Sequence, residues 1–264
     1  MIVMFHGLGN TGASMKPLQD MLSPRFETLV PTRRAYGPQM TFEDAFDEVI
    51  RQLDEAKVGP AYYLGYSFGG FLALTLARRY PERVRGIIGI ASPVFFRGRE
   101  LAQIRHVLKQ DFAHRVPGDE RRTKIEERWG AGYDELLATT ERVFAEISEN
   151  PPLRRADLEA IEQPVLFLSG DHDIYLPAQE ARKTAAMMPN ARLGLFPGPG
   201  HPINNVPWLQ IKHAVTTFID EVEGRRFDPK IHADVTAKLV VGGLQREGVT
   251  AKLNARSKGR RRSA

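Results

Sequence analysis

The feature that most constrains this chain is a repeated alternation of apolar segments with amphipathic ones. Residues 61–66 read "AYYLGY", an almost unbroken apolar run that is typical of a parallel strand buried on both faces. Strand character recurs at residues 1–5, 26–32, 84–92, 164–170 and 191–197. Because helical patterns separate these segments, the sequence predicts an α/β fold with a mostly parallel six-stranded sheet flanked by helices.

Helical periodicity fills the intervals between the predicted strands. The predicted helices cover residues 14–22, 41–56, 68–80, 178–188 and 208–222. The second of them opens on Thr41 and Asp44, whose spacing resembles a capping box that satisfies the first backbone N–H groups of a helix.

One long stretch interrupts the alternation. Between residues 93 and 157 the sequence predicts no strand, and two charged amphipathic helices are expected at 99–112 and 134–147. We therefore expect a core built from residues 1–92 and 158–224, with residues 93–157 inserted as a helical cap.

The formal net charge of +5 is concentrated at the carboxyl terminus. Residues 225–264 contain 11 Lys and Arg against 3 Asp and Glu, which leaves 26 and 29 for residues 1–224. We expect this basic tail to be disordered. A solvated tail without a specific partner is the simpler interpretation, and contact with nucleic acid or an anionic surface is the alternative.

The absence of cysteine excludes disulfides, thiolate metal sites and a cysteine nucleophile. No apolar run approaches the ~20 residues that a membrane span needs, and "MIVMF" is too short for a signal peptide. The expected location is therefore cytoplasmic.

A single serine, Ser67, stands between Gly65 and Gly69 where the strand at 61–66 gives way to a helix. A residue at the tip of such a sharp turn has a strained backbone, and small residues two positions away relieve the crowding. The turn would project the hydroxyl above the carboxyl edge of the sheet. A tight turn with an exposed serine is the alternative, but the strand before and the helix after favour a nucleophile.

Acid and base candidates follow two later strands. The segment "DHDIYLP" comes after 164–170 and offers Asp171 or Asp173, and "GPGHP" comes after 191–197 and offers His201. A serine nucleophile needs a general base that a third group orients. Loops at the carboxyl ends of parallel strands converge over one edge of the sheet, so these residues can meet the serine.

These motifs together resemble the α/β-hydrolase superfamily. The resemblance covers residues 1–222 and rests on "FHGLG", "GYSFGG", "SGDHDIYLP" and "GPGHP". It implies that Asp173 is the catalytic acid, because Gly170 and Pro177 frame it as in the family's acid loop. It also implies that Asp171 is a hydrogen-bonding turn residue.

The same resemblance assigns the base and the oxyanion hole. His201 matches the family's histidine, whereas His172 lies beside the acid in the same loop and fits worse. The backbone N–H groups of Phe68 and Leu8 are implied to stabilise the oxyanion, and His6 to have a structural role.

The activity that the resemblance implies is hydrolysis of a carboxylic ester or thioester through an acyl-enzyme. Ser67 would attack the acyl carbon, His201 would act as base, and Asp173 would hold the imidazolium. Neither a metal nor an organic cofactor is required, and the expected partner is a small acyl substrate. Aromatic residues that could line its pocket, with core or cap packing as the alternative, are Tyr66, Phe68, Phe95, Phe96, Trp129 and Tyr175.

Several alternatives remain open from the sequence. The same scaffold supports carbon–carbon bond hydrolysis, perhydrolysis and pyruvate-eliminating lyase chemistry. The segment at 31–41 lacks the family's usual glycine-rich pattern, and this departure leaves the substrate class undecided. A non-catalytic binding protein that uses the basic tail belongs to a different class. The intact set of Ser67, Asp173 and His201 argues against it.

Overall fold

The computed structural model describes residues 1–8, 10–31, 40–96, 102, 133–198, 200–201 and 206–225. The chain divides into two compact units, Met1–Val215 and Thr216–Ala264. Among the predicted features, the first cap helix at 99–112 apart from residue 102, Trp129 and the tail beyond residue 225 lie outside the described residues. Across the described part of the chain, no helix combines the length and apolar character that crossing a bilayer requires.

Six strands form one sheet in the order β2-β1-β3-β4-β5-β6, and every neighbouring pair is parallel. The strands are β1 (Ile2–Phe5), β2 (Thr28–Leu29), β3 (Ala61–Tyr66), β4 (Val84–Ile90), β5 (Val165–Gly170) and β6 (Ala191–Phe196). This confirms the predicted six-stranded parallel sheet. β2 is shorter than predicted, because it pairs only with Ile2 and Val3 at the edge of the sheet and Pro31 follows without an N–H to extend the ladder.

The predicted helices of the core are all present. The α-helices are α1 (Lys16–Leu22), α2 (Phe42–Glu55), α3 (Phe68–Arg79), α4 (Tyr133–Glu149), α5 (Arg155–Glu159), α6 (Ala178–Ala185) and α7 (Trp208–Val222). The short helix α5 was not predicted. α2 begins with the expected capping box, in which the Asp44 amide donates to the Thr41 side chain and the Thr41 amide donates to the Asp44 carboxylate.

The centre of the sheet is buried on both faces. All six residues of β3 are buried, as the continuous apolar run predicted, and α3 is buried from Phe68 to Ala77. Since burying one large apolar side chain stabilises the fold by about 1.5–3 kcal/mol, the burial of β3 and α3 contributes strongly to the stability of the unit. The turn that joins β3 to α3 therefore sits on a rigid base.

α4, which falls inside the predicted cap, packs on the core. Val143, Phe144 and Ile147 are buried in the same apolar cluster as α2 and α3. The Phe144 ring stands edge-on to the ring of Phe68 at 6.4 Å and lies 4.9 Å from that of Phe96. This half of the predicted cap is thus anchored beside the start of α3.

Two polar contacts tie α4 to the beginning of α2. The Glu146 carboxylate accepts a hydrogen bond from the Phe42 amide at 3.1 Å, and the Arg142 guanidinium donates to the Met40 carbonyl oxygen at 2.7 Å. An acidic group at a helix N-terminus is favoured by the helix dipole and by the amides that lack intrahelical acceptors.

The predicted limits of the cap, 93–157, stay a prediction.

In the second unit the structure describes residues 216–225. Asp220 is buried there, and its carboxylate accepts a hydrogen bond from the Arg225 guanidinium at 2.8 Å.

Candidate active site

Ser67 occupies a strained turn between β3 and α3. Its backbone has φ 52° and ψ −121°, a conformation that non-glycine residues rarely adopt. The Ser67 amide donates to the Ile90 carbonyl at 2.8 Å, and the Ser67 carbonyl accepts from the Gly70 amide at 2.9 Å. Two backbone hydrogen bonds therefore hold this strained conformation in place.

The glycines around Ser67 are required by close backbone packing. A Cβ on Gly65 would lie 2.2 Å from the carbonyl carbon of Gly69 and from the amide nitrogen of Gly70. A Cβ on Gly69 would lie 2.1 Å from the carbonyl oxygen of Phe5 at the end of β1. The sequence G-x-S-x-G thus has a steric cause here, because α3 begins almost in contact with the sheet.

Ser67, His201 and Asp173 meet in one hydrogen-bonded chain. The His201 Nε2 atom is 3.0 Å from the Ser67 hydroxyl oxygen, and Nδ1 is 3.0 and 3.1 Å from the two carboxylate oxygens of Asp173. With Nδ1 protonated toward the carboxylate, Nε2 is left as the acceptor for the serine hydroxyl. The geometry is the one that a general base needs to take a proton from a nucleophile.

Asp173 is fixed in place by its own loop. The residue is 3% exposed, and its Oδ1 atom accepts hydrogen bonds from the amides of Tyr175 and Leu176, each at 2.9 Å. These bonds leave the carboxylate one orientation, toward His201. The turn that follows β5 therefore determines the direction in which the imidazole ring points.

Asp171 and His172, the other acid and base candidates in the loop after β5, make different contacts. The Asp171 carboxylate accepts a hydrogen bond from the Gly198 amide at 2.7 Å, and the Asp171 amide donates to the Phe196 carbonyl at 3.0 Å. His172 has a side chain that is 75% exposed, with Nε2 3.8 Å from Asp171. Asp171 joins the loops after β5 and β6, as a turn residue would, and His172 faces solvent.

Two tyrosines contact the ring of His201. The Tyr66 hydroxyl donates a hydrogen bond to the backbone carbonyl oxygen of His201, and the two rings lie 5.6 Å apart. The Tyr175 ring lies 4.4 Å from the imidazole. Burial, together with the negative charge of Asp173, raises the pKa of Tyr66 well above its usual value, so the phenol stays a donor at neutral pH. The sequence placed both tyrosines only among possible pocket residues.

The loop after β1 passes beside the serine. A Cβ on Gly7 would lie 3.3 Å from Cβ of Ser67 and 3.0 Å from the ring of Tyr66. Leu8 follows in this loop and is half-buried, and Phe68 is the first residue of α3. The two amides predicted for the oxyanion hole thus come from backbone segments next to Ser67, and their role stays a prediction.

The remaining pocket candidates differ in burial. Phe95 is half-buried, while Phe96 is 2% exposed, with its ring 5.3 Å from that of Phe71 and edge-on to it. Phe96 therefore packs in the core cluster.

In the part of the chain that the structure describes, no group of three or more His, Asp or Glu side chains is arranged to hold a metal ion.

Known proteins resemble this chain over most of its length. The chain is 25% identical over 249 residues to a 2-(acetamidomethylene)succinate hydrolase of Mesorhizobium japonicum, covering 83% of this chain and 88% of that protein. It is 28% identical over 252 residues to a pimeloyl-[acyl-carrier protein] methyl ester esterase of Xanthomonas oryzae pv. oryzae, covering 84% and 95%. A 2-hydroxymuconate semialdehyde hydrolase of Pseudomonas putida is 31% identical over 188 residues, covering 64% and 63%.

Solved structures agree on the fold. The structure of an esterase from Thermogutta terrifontis superposes with a TM-score of 0.67 at 20% identity, covering 84% of this chain and 89% of that one. A family model described as the alpha/beta hydrolase family matches residues 2–215. The chain therefore belongs to the alpha/beta hydrolase family and is a hydrolase.

Proposed function

We propose that this protein is a serine hydrolase that cleaves a carboxylic ester or thioester through an acyl-enzyme intermediate. The observation that carries the proposal is the chain of hydrogen bonds from Ser67 through His201 to Asp173, with 3.0 Å at the serine and 3.0 Å at the shorter carboxylate contact. The Asp173 carboxylate is buried, whereas Ser67 is partly exposed. The carboxylate is therefore shielded from solvent, and the serine hydroxyl can be reached by a substrate.

Acylation begins when the Ser67 hydroxyl oxygen attacks the acyl carbon and His201 Nε2 takes the hydroxyl proton. The Asp173 carboxylate stabilises the imidazolium through Nδ1. Negative charge that develops on the former carbonyl oxygen is stabilised by the amides of Leu8 and Phe68, and a donor of this kind contributes about 3–4 kcal/mol to the transition state. His201 then protonates the leaving alcohol or thiol as the tetrahedral intermediate collapses.

Deacylation repeats these steps with water. His201 removes a proton from the water molecule, the resulting hydroxide attacks the acyl carbon, and the Ser67 oxygen leaves with the proton that His201 returns. The products are the free acid and the regenerated serine. All of the groups needed for both half-reactions belong to this chain.

The name of one relative favours an ester as the substrate, and one contact in the structure points to the segment that would select the acyl group. The relative from Xanthomonas oryzae pv. oryzae is named as a methyl ester esterase and aligns with 84% of this chain. Phe68, the residue after the nucleophile, packs against Phe144 of α4, so a helix of the 93–157 segment lies close to the reacting serine. We propose that this segment is the cap and that it selects the acyl group.

The proposal is tested with p-nitrophenyl esters of increasing acyl length and with acyl-coenzyme A thioesters. Ser67→Ala should lose at least about 1,000-fold in kcat. Ser14→Ala is the matched control, because Ser14 is also a half-buried serine and its hydroxyl donates a hydrogen bond to the Thr11 carbonyl oxygen in its own turn. A fluorophosphonate should label the peptide that carries Ser67 in the wild type and in Ser14→Ala. Full ester turnover by Ser67→Ala, or labelling at another residue, would overturn the assignment.

A second candidate is hydrolysis of a bond other than an ester. The relatives named 2-hydroxymuconate semialdehyde hydrolase and 2-(acetamidomethylene)succinate hydrolase favour it. Both named compounds belong in the same assay series. Turnover of either one that exceeds ester turnover and still requires Ser67 would establish this candidate instead.

A further inference from the structure

Tyr66 makes contacts with three separate parts of the site. It directly precedes Ser67, its ring lies against the backbone of Gly7, and its hydroxyl donates to the carbonyl oxygen of His201, 135 positions away in the sequence. The side chain is 3% exposed. A single rigid residue on β3 thus touches the nucleophile turn, the loop after β1 and the histidine loop.

The histidine loop needs a constraint of this kind because His201 comes from far across the sheet. It follows β6, and β6 is separated from β3 by β4 and β5. Since neighbouring strands lie about 4.8 Å apart, the loop has to reach back roughly 14 Å to bring the imidazole to the serine. β6 is an edge strand whose residues are mostly half-buried, so the strand itself gives the loop limited support.

Asp173 alone does not fix the position of His201. Its hydrogen bonds hold Nδ1, which sets the tautomer and the direction of the ring, but a ring held at one atom can still swing as its backbone moves. The bond from Tyr66 acts on the backbone carbonyl of the same residue. Together the two contacts restrain His201 at its imidazole ring and at its backbone.

We propose that Tyr66 is a positioning residue that holds the backbone of His201 so that Nε2 stays within proton-transfer distance of Ser67. The inference rests on the proposed function, because it concerns the same proton transfer. Tyr66 acts through His201 and does not itself exchange a proton. Burial and the charge of Asp173 raise the pKa of the phenol, so the bond to the carbonyl persists over the pH range in which a histidine base works.

The test compares Tyr66→Phe with Tyr63→Phe. Both substitutions remove one phenolic oxygen from a buried tyrosine of β3, but the Tyr63 hydroxyl lies near Arg83 and Asp54, at the other end of the strand. Tyr66→Phe should lower kcat for a p-nitrophenyl ester by about 10- to 100-fold with KM within about twofold, since small misplacements of a reacting group have effects of this size. Fluorophosphonate labelling of Ser67 should slow in proportion. Tyr63→Phe should leave kcat and labelling unchanged.

A measurement that does not depend on turnover separates failure of this proposal from failure of the proposed function. The proton between His201 Nδ1 and Asp173 gives a downfield resonance in a one-dimensional proton spectrum when the imidazole is held in place. The resonance should be present in the wild type and in Tyr63→Phe, and broadened or lost in Tyr66→Phe. An unchanged resonance in Tyr66→Phe, or an unchanged kcat in an active enzyme, would overturn the positioning role. An inactive wild type with the resonance lost only in Tyr66→Phe would support it and refute the ester hydrolase.

Discussion

The α-carbon of Gly69, in the first turn of α3, lies against the carbonyl oxygen of Phe5, the last residue of β1. A Cβ built on Gly69 would lie 2.1 Å from that oxygen and 2.9 Å from the carbonyl oxygen of His6. Both obstacles are backbone atoms, one at the last residue of β1 and one directly after it, so neither can move without shifting the sheet or the helix. The approach of α3 to β1 is what brings Ser67 beside the loop that carries Leu8.

Replacing Gly69 with alanine should therefore destabilise the protein. We expect Gly69→Ala to lower the free energy of unfolding by about 1–3 kcal/mol, the usual cost of overpacking, and to reduce ester turnover as the serine turn shifts. Urea denaturation followed by circular dichroism measures the first effect. Gly59→Ala is the control, because a Cβ on Gly59 meets nothing within 4 Å. Equal stability of the two variants would show that the contact is more yielding than its geometry indicates.

The sheet could be predicted because its signals are local. A strand buried on both faces must be apolar almost throughout, and the six consecutive residues "AYYLGY" meet that requirement. The parallel direction followed from the helices between strands, since a parallel pair needs a crossover. α5 escaped prediction because five residues are too few to show helical periodicity.

The site could be predicted only in part. Ser67, Asp173 and His201 could be proposed because each follows a predicted strand and matches a motif, and the structure brings their side chains within hydrogen-bonding distance of one another. The bond from Tyr66 to His201 could not be found in this way, because it depends on where a loop after β6 places one carbonyl oxygen. The only signal for Tyr66 in the sequence was its position directly before the predicted nucleophile, Ser67. The contact of Phe144 with Phe68 could not be predicted either, because it joins two helices that lie far apart in the sequence.

Removing the carboxylate of Glu146 should weaken the start of α2. Glu146→Ala loses the acceptor for the Phe42 amide and a favourable charge at a helix N-terminus, so we expect about 0.5–2 kcal/mol less stability. Glu149→Ala, at the exposed end of the same helix, serves as the control and should change stability by less than about 0.5 kcal/mol. Thermal unfolding of both variants and of the wild type measures these changes in stability. A loss no larger in Glu146→Ala than in Glu149→Ala would contradict a capping role.

The pair of Glu43 and Arg79 should make a small, pH-dependent contribution to stability. Two hydrogen bonds of 2.6 and 2.7 Å from the Arg79 guanidinium lower the pKa of the Glu43 carboxyl below 4.5. A lowered pKa means that the stabilisation is present above the unfolded value and is lost as the pH falls through the folded value. Because the Glu43 side chain is 52% exposed, solvent screens the pair, and we expect about 0.2–1 kcal/mol.

The corresponding experiment compares Glu43→Gln with the wild type in urea titrations across the acid range. The difference in unfolding free energy should be constant from neutral pH down to about pH 5 and should vanish at more acid pH, where both side chains are neutral. A difference that grows on acidification would reverse the sign of the effect and refute the assignment to this pair.

Asp173 and Asp171 offer the sharpest contrast in the site, because they lie two positions apart and make different contacts. Asp173→Asn should reduce kcat by about 1,000- to 10,000-fold, since an amide that donates toward Nδ1 favours the wrong imidazole tautomer and leaves Nε2 unable to accept the Ser67 proton. Asp171→Asn should stay within about threefold of the wild type, because an asparagine oxygen can still accept the Gly198 amide that Asp171 now binds at 2.7 Å. Steady-state kinetics on one p-nitrophenyl ester, with circular dichroism to confirm folding, compares the two. If Asp171→Asn loses as much activity as Asp173→Asn, the acid would have to be reassigned to Asp171 or shared between the two carboxylates.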